Sequence, residues 1–351
     1  MLACLGRKLD HDFDFLEVDR IMAPTQRDMS FKRLLVSLSR YLSDAKCLDE
    51  IASSLAAIIP AYLTEPNYSK YFAFFESQGF HLTRNHFYEP IPDTRSLRDE
   101  IWERESELVG VDMNIDFQLH MLRDIFPKFK TEYNEFPIKP LTDSGFYFDN
   151  TYFSGTDALV LYCMIRHFQP RTVLEVGGGF STRLSAQAAL RNRDTKVVCI
   201  EPYPEPILTS GFPGLTKLVT DRVENVGLDP FLALSANDIL FIDGSHCLKI
   251  GADVQFLYLE VLPRLKEGVI VHIHDIFFPK EMPKDWVFRL HKFWTEQYLV
   301  QAFLAFNRAF EVLYCNSYMG LKYGPDMRRT FPKSPWHGGG SLWIRRRKDK
   351  T

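Results

Sequence analysis

Two short stretches of this sequence are best suited to chemistry: Asp243-Gly-Ser-His246 and His272-Ile-His274-Asp275. Carboxylates and imidazoles are the side chains that move protons near neutral pH and hold divalent ions. Each stretch ends an apolar run, "DILFI" and "GVIVHI", of the length and composition of a buried strand. If those strands are neighbours, their ends lie about 5 Å apart. Asp243, His246, His274 and Asp275 then converge on one crevice, and four such groups together define a candidate site. His272 shares a strand face with His274 but lies one step deeper, so it is expected as a hydrogen-bonded core histidine.

A third stretch suggests what occupies that crevice. Glu175-Val-Gly-Gly-Gly179 follows the apolar run "TVL" and precedes the helix-like "STRLSAQAALRN". Gly177, Gly178 and Gly179 allow the backbone to approach a ligand without a Cβ in the way. Ser181 and its neighbours put free N–H groups at a helix start. Glu201 ends the next strand, "KVVCI", about twenty residues on, the spacing at which an acid meets a ribose diol. A dinucleotide site prefers Gly-x-Gly-x-x-Gly, and Thr182 stands where the third glycine belongs. Glu175 beside the loop favours a cation over a phosphate. S-adenosylmethionine has an adenosine, an ammonium and a sulfonium, and no phosphate. It is the expected cofactor, with a nicotinamide-dependent oxidoreductase or a non-catalytic cofactor-binding module as the alternatives.

"TVLEVGGGFSTRLSA", "VVCIEPYP", "DILFIDGSHCLKIGADV" and "GVIVHIHDIFFP" together resemble the class I S-adenosylmethionine-dependent methyltransferases, and within them the group called methyltransferase domain 24. The resemblance covers residues 150–280 well and the last seventy or so less specifically. It implies that the glycine loop with Glu175, and Glu201 after the second strand, hold the cofactor. Gly178, Ser181 and Asp243 are expected to line the same site.

Methyl transfer is an in-line displacement at a sulfonium methyl, and the enzyme must align a nucleophile with it. For an alcohol, a base has to take the proton as the bond forms. His246, on the loop facing the methyl, is the expected general base. Asp243, His274 and Asp275 are the expected ligands of a Mg²⁺- or Mn²⁺-like ion, should one take part. Related sugar and macrolide O-methyltransferases commonly carry two adjacent acids where this chain has His274-Asp275. A histidine ligand also fits zinc or iron.

The elements that must position these groups follow from the pattern around them. Strands and helices alternate from residue 150 onwards, which predicts an α/β, doubly wound, Rossmann-like and mostly parallel sheet. "SGTDALVLYCMIRHF" reads as a helix opened by a capping box from Ser154 to Asp157. "EVLYCNS" and "SLWIRRR" are expected to add an antiparallel edge, after the flexible glycine turn of "SPWHGGG". Residues 1–149 read as a mainly helical N-terminal region for acceptor recognition or a lid, with helix over 30–63 and 96–135. Residues 150–351 form the cofactor-binding domain. "FHLTRNHFYEPIP" and "FYFDNTYFSG" concentrate aromatics, suited either to stacking on a sugar or to a rigid plug. "DIFFPKEMPKDW" is expected as part of a lid.

The composition is 46% hydrophobic and 25% charged over 351 residues, as in globular proteins. Net charge is −3, and nothing implies a nucleic-acid partner, which would need a basic face; the basic tail "IRRRKDK" reads as a solvated end. The partner is expected to be a small-molecule or glycan acceptor, with homo-oligomerisation left open. The six cysteines form no C-x-x-C pair, and several sit in apolar runs, as in a reducing compartment. No apolar run reaches the ~18 residues of a membrane span. A cytoplasmic location is the expectation.

Overall fold

A computed structural model describes residues 45–347. The chain divides into two compact units between Asp93 and Thr94. In the first unit, α1 (Ala45–Tyr62) and α2 (Asn67–Ser77) form a helical hairpin. Residues 30–44 of the expected first helix lie outside the described residues. Helix α2 was not legible from periodicity, because its aromatics follow no helical stripe. Ring contacts hold it instead: Tyr62 meets Tyr71 and Phe75 edge-on at 5.2 and 5.5 Å. Residues 80–92 are irregular, with Phe87 and Tyr88 exposed.

The second unit is built on seven strands: β1 (Thr172–Val176), β2 (Lys196–Ile200), β3 (Leu215–Val219), β4 (Ile239–Ile242), β5 (Ile270–Ile273), β6 (Phe310–Cys315) and β7 (Leu342–Arg346). Their order is β3-β2-β1-β4-β5-β7-β6. The first five run parallel, and β7 is antiparallel to both its neighbours. The expected antiparallel edge is thus corrected in one respect. The last strand inserts between β5 and β6, so β7 is interior and β6 is the edge. Its apolar residues Leu342, Trp343 and Ile344 are fully buried, as an interior strand requires.

Side-chain alternation sends the two faces of the sheet into separate cores. Val173, Phe241, Ile270 and Trp343 join α3 (Gly155–Phe168) and α4 (Phe180–Asn192) on one side. Leu174, Ile242, Ile273 and Ile344 face α5, a helical run over residues 253–264, and α6 (Glu296–Leu304) on the other. β1 and β4 are adjacent and are followed by connections on opposite sides, so the order reverses there. That switch point leaves a crevice above the carboxyl ends of the strands.

One local expectation changes and two gain detail. Ser154 makes no capping bond to its own helix. Its hydroxyl donates to the Phe148 carbonyl, and Asp157 turns away towards the far end of the chain. Phe146, Phe148 and Phe153 are buried in the first core, so that aromatic stretch is largely a plug. The segment after β5 is tied down: Gln297 accepts from Phe277 N–H at 2.6 Å and donates to the Lys280 carbonyl at 3.0 Å. Cys163, Cys199, Cys247 and Cys315 are free thiols. Among the described residues, no helix is long and apolar enough to cross a membrane.

Candidate active site

The glycine turn after β1 does two different jobs. Gly177 has φ +86°, and a Cβ there would lie 1.8 Å from the Asp243 carbonyl oxygen. A Cβ on Gly178 would lie 2.4 Å from the Cys199 sulfur. These two glycines let the β1 turn press against the ends of β4 and β2. Gly179 is different: among the described residues a Cβ there meets nothing within 4 Å. Only this third glycine borders open space, and its N–H donates to Thr182 Oγ1 at 3.0 Å.

Glu201 closes the turn from the other side. Its carboxylate accepts from Gly178 N–H at 3.0 Å and from Tyr203 N–H at 2.8 Å. Each carboxylate oxygen has a second lone pair, so the pair of backbone donors leaves Glu201 able to accept further hydrogen bonds.

Glu175 is fully buried rather than a bare anion at the loop, which corrects the sequence expectation. It accepts a hydrogen bond from the Ser181 hydroxyl on one oxygen, while the other oxygen has no partner among the described residues. Burial drives its pKa up to about 8 against the opposing pull of the Ser181 and Thr182 hydroxyls. The folded chain therefore keeps a proton that an unfolded chain releases near 4.5. The stability contributed by that proton is complete below about 4.5 and is lost as pH rises to about 8, at up to about 1.4 kcal/mol per pH unit. Glu175→Gln should remove this slope. In urea titrations of the cofactor-free protein, the stability of the variant relative to wild type should climb across that interval and then level. A flat difference would refute the buried, protonated state.

Beyond β4 and β5 the four chemistry-bearing side chains do meet. His246 Nε2 lies 3.2 Å from Asp243 and 3.6 Å from Asp275. His274 Nδ1 lies 3.4 Å from Asp243 and 3.6 Å from Asp275. Asp243 is thus shared by two imidazoles. Burial alone would raise its pKa, but His274 and His246 hold it well below the usual carboxylate range. Burial would lower His274, and Asp275 and Asp243 reverse this, lifting it to about 10. His246 is likewise raised, because Asp243 and Glu296 outweigh its burial. His246 and Asp275 also occupy left-handed backbone, at φ +58° and +60°, a conformation costly for such residues.

The group with metal-ligand geometry differs from the expected one. Donor atoms of Asp243, His246 and Asp275 all lie within 4.8 Å of one another. The third donor in this group is His246, where the sequence pointed to His274. His272 also departs from expectation. It is fully buried, but neither ring nitrogen has a hydrogen-bond partner among the described residues. It is stacked between Phe241 and Trp343, with centroids at 4.1 Å on both sides, and burial holds it well below the usual imidazole range.

Two acids that the sequence did not place in the site complete the cluster. Asp157, from the first turn of α3, has Oδ2 3.9 Å from His274 Nε2. It accepts from Gly340 N–H, Ser341 N–H and the Asn316 amide at 3.0, 2.9 and 2.7 Å. The second glycine run is therefore no loose turn. A Cβ on Gly340 would stand 2.9 Å from Asp275 Cα. Glu296, at the start of α6, sits behind His246, with Oε2 2.8 Å from Nδ1. It follows His246 by fifty residues and reads in sequence as an ordinary helix-starting acid, so no local pattern exposes it.

A sheet of this order, with a glycine turn and an acid at the ends of β1 and β2, defines a class I S-adenosylmethionine-dependent methyltransferase. Residues 174–276 match the family model described as a methyltransferase domain. An uncharacterised protein of Archaeoglobus fulgidus is 31% identical over 169 residues, covering 44% of this chain and 74% of its own length. The chain belongs to this methyltransferase-domain family. Among solved structures, it is similar to an O-methyltransferase of Streptomyces achromogenes involved in tomaymycin synthesis, in complex with S-adenosylmethionine. The match is 13% identical with a TM-score of 0.33, over 55% of this chain and 80% of the other. It is also similar to an O-methyltransferase of Bacillus cereus in complex with S-adenosylhomocysteine. That match is 13% identical with a TM-score of 0.32, over 65% and 90% of the two chains.

Proposed function

We propose that this methyltransferase acts on a hydroxyl of a small, sugar-like acceptor, with His246 as the base. One observation carries this reading: His246 Nε2 faces Asp243 and Asp275, and Asp243 is the residue against which the Gly177 turn is pressed. The base and the cofactor turn are thus parts of one crevice.

The donor set fits S-adenosylmethionine. Gly179 leaves open space at the start of α4, Glu201 offers acceptor capacity for a diol, and Asp243 keeps its negative charge nearby. When bound, the cofactor supplies an electrophilic methyl, so that an oxygen–carbon bond forms as the carbon–sulfur bond breaks. The acceptor's hydroxyl proton goes to His246 Nε2, and Asp243 and Asp275 stabilise the imidazolium that results.

Aromatic groups beside the base support a ring-shaped acceptor. The Trp294 ring lies 4.2 Å from that of His246, and Trp286 meets Trp294 edge-on at 5.4 Å. Lys292 lies over both indoles at 4.2 Å. Indole faces stack well on sugars, and those of Trp286 and Trp294 open to an acceptor when the Lys292 side chain swings away. Residues 1–149 are proposed to take part in acceptor recognition.

A divalent ion, if used, has Asp243, His246 and Asp275 as its donors, and His246 would then act as a ligand and not as the base. Treatment with EDTA followed by re-addition of Mg²⁺ or Mn²⁺ decides between these roles. Unchanged turnover is expected, and loss with recovery would reassign His246. The reading as a whole is tested by calorimetric titration with S-adenosylhomocysteine and with NADH, followed by a screen of hydroxylated acceptors with labelled cofactor. Binding of S-adenosylhomocysteine and labelling of a hydroxyl are expected. Binding of NADH alone would overturn the reading.

A further inference from the structure

We infer that Glu296, backed by Tyr258, is a positioning residue that selects which nitrogen of His246 faces the reaction. The inference rests on the reading of His246 as base. Glu296 is 2% exposed, and both its oxygens are engaged. Oε2 lies 2.8 Å from His246 Nδ1, and Oε1 accepts from the Tyr258 hydroxyl at 2.9 Å. With Nδ1 committed to Glu296, Nε2 is the nitrogen left to face Asp243 and Asp275. An imidazole has two chemically distinct nitrogens, and the partner of one fixes the role of the other.

The same segment grips the backbone of His246 as well. The N–H groups of Thr295 and Glu296 both donate to the His246 carbonyl, at 2.9 and 3.0 Å. Leu248 N–H donates to Thr295 Oγ1 at 2.9 Å, and Trp294 covers one side of the ring. These bonds hold His246 in the left-handed conformation at φ +58°, which is sparsely populated for a residue with a side chain. The start of α6 therefore fixes both the backbone and the ring of the base. A buried glutamate that only filled space would not need its two oxygens divided between an imidazole and a phenol. Deleting it would change stability without changing the ring's hydrogen bonding.

The experiment is proton–nitrogen NMR on full-length protein labelled with ¹⁵N-histidine, with the His246 ring assigned by its loss in His246→Asn. Wild type should show a His246 Nδ1–H proton far downfield of the backbone amides, as a short bond to a carboxylate predicts. In Glu296→Gln, which keeps an acceptor oxygen but loses the charge, the resonance should persist and move upfield. In Glu296→Leu it should vanish while S-adenosylhomocysteine affinity stays at the wild-type value. With an acceptor from the screen, Glu296→Leu should lose about 10²-fold in kcat with little change in KM, and Glu296→Gln should recover part of that loss. The double variant His246→Asn/Glu296→Leu should be no slower than His246→Asn alone. A wild type that binds S-adenosylhomocysteine but lacks the resonance overturns the positioning role. So does a folded Glu296→Leu variant that keeps the wild-type kcat. A wild type that shows the resonance but binds no S-adenosylhomocysteine overturns the methyl-transfer reading instead.

Discussion

Gly177→Ala should abolish the native fold, whereas Gly179→Ala, two residues away, should fold normally and lose cofactor affinity. At Gly177 an added Cβ would stand 1.8 Å from the Asp243 carbonyl oxygen, and φ is +86°. The obstacle is backbone on β4, which cannot swing aside as a flexible side chain can. Left-handed strain and overpacking each cost about 1–3 kcal/mol, and this clash lies at the severe end. Together they approach the whole stability of a typical domain. At Gly179 the same methyl meets nothing within 4 Å among the described residues, and its φ of 175° lies outside the left-handed region. Its only effect is to occupy the crevice. Circular dichroism melts and S-adenosylhomocysteine calorimetry on the two variants check this. A folded Gly177→Ala, or a Gly179→Ala that binds as tightly as wild type, would show that the three glycines share one role.

That contrast marks what the sequence can and cannot convey. Three adjacent glycines after an apolar run signal a close backbone approach, but not to what. The partner of Gly177 is a carbonyl sixty-six positions away across the sheet, and only the pairing of β1 with β4 brings it there. The alternation of strands and helices after residue 150 was legible because the central strands β1, β4 and β5 are buried on both faces and read as largely apolar runs, whereas β3 exposes Thr216 and Lys217 and carries a weaker signal. The position of β7 was not, because "LWIRR" looks the same on an edge as inside a sheet. Its insertion beside β5 depends on the pairing of Ile273 with Leu342, which no local pattern records.

The site divides in the same way. Asp243, His246, His274 and Asp275 stood out because they follow strands, and strand ends in such a sheet share one crevice. Glu296 and Asp157 are tied to the same imidazoles, yet both lie in first turns of helices, where an acid is the commonplace choice for the helix dipole. Glu175 was visible as a residue, but its state was not. Its position opposite Phe241 and beneath Ser181 buries it completely, and burial then decides its protonation. Sequence showed which residues follow strands. The charge each one bears depended on neighbours that only the fold supplies.

His246→Asn should leave S-adenosylhomocysteine binding unchanged and lower methyl transfer by about 10²–10⁴-fold. Asparagine is the informative replacement because it tolerates the left-handed backbone at φ +58° better than alanine does. Its amide can also donate to Glu296, so the buried carboxylate is not stranded, which would itself cost about 1–3 kcal/mol. What asparagine lacks is a nitrogen that accepts a proton. The wild-type profile should have a direction too. In the cofactor-free protein, Asp243 and Glu296 raise His246 above the usual imidazole range despite its burial. A raised base stays protonated at neutral pH and must release that proton before it can accept another. Turnover should therefore climb on the alkaline side of neutrality, and the residual activity of His246→Asn should not follow that rise. Methylation surviving at the wild-type rate in His246→Asn, measured with labelled cofactor across this range, would remove His246 from proton transfer and leave Asp243 and Asp275 as the remaining acceptors in the crevice.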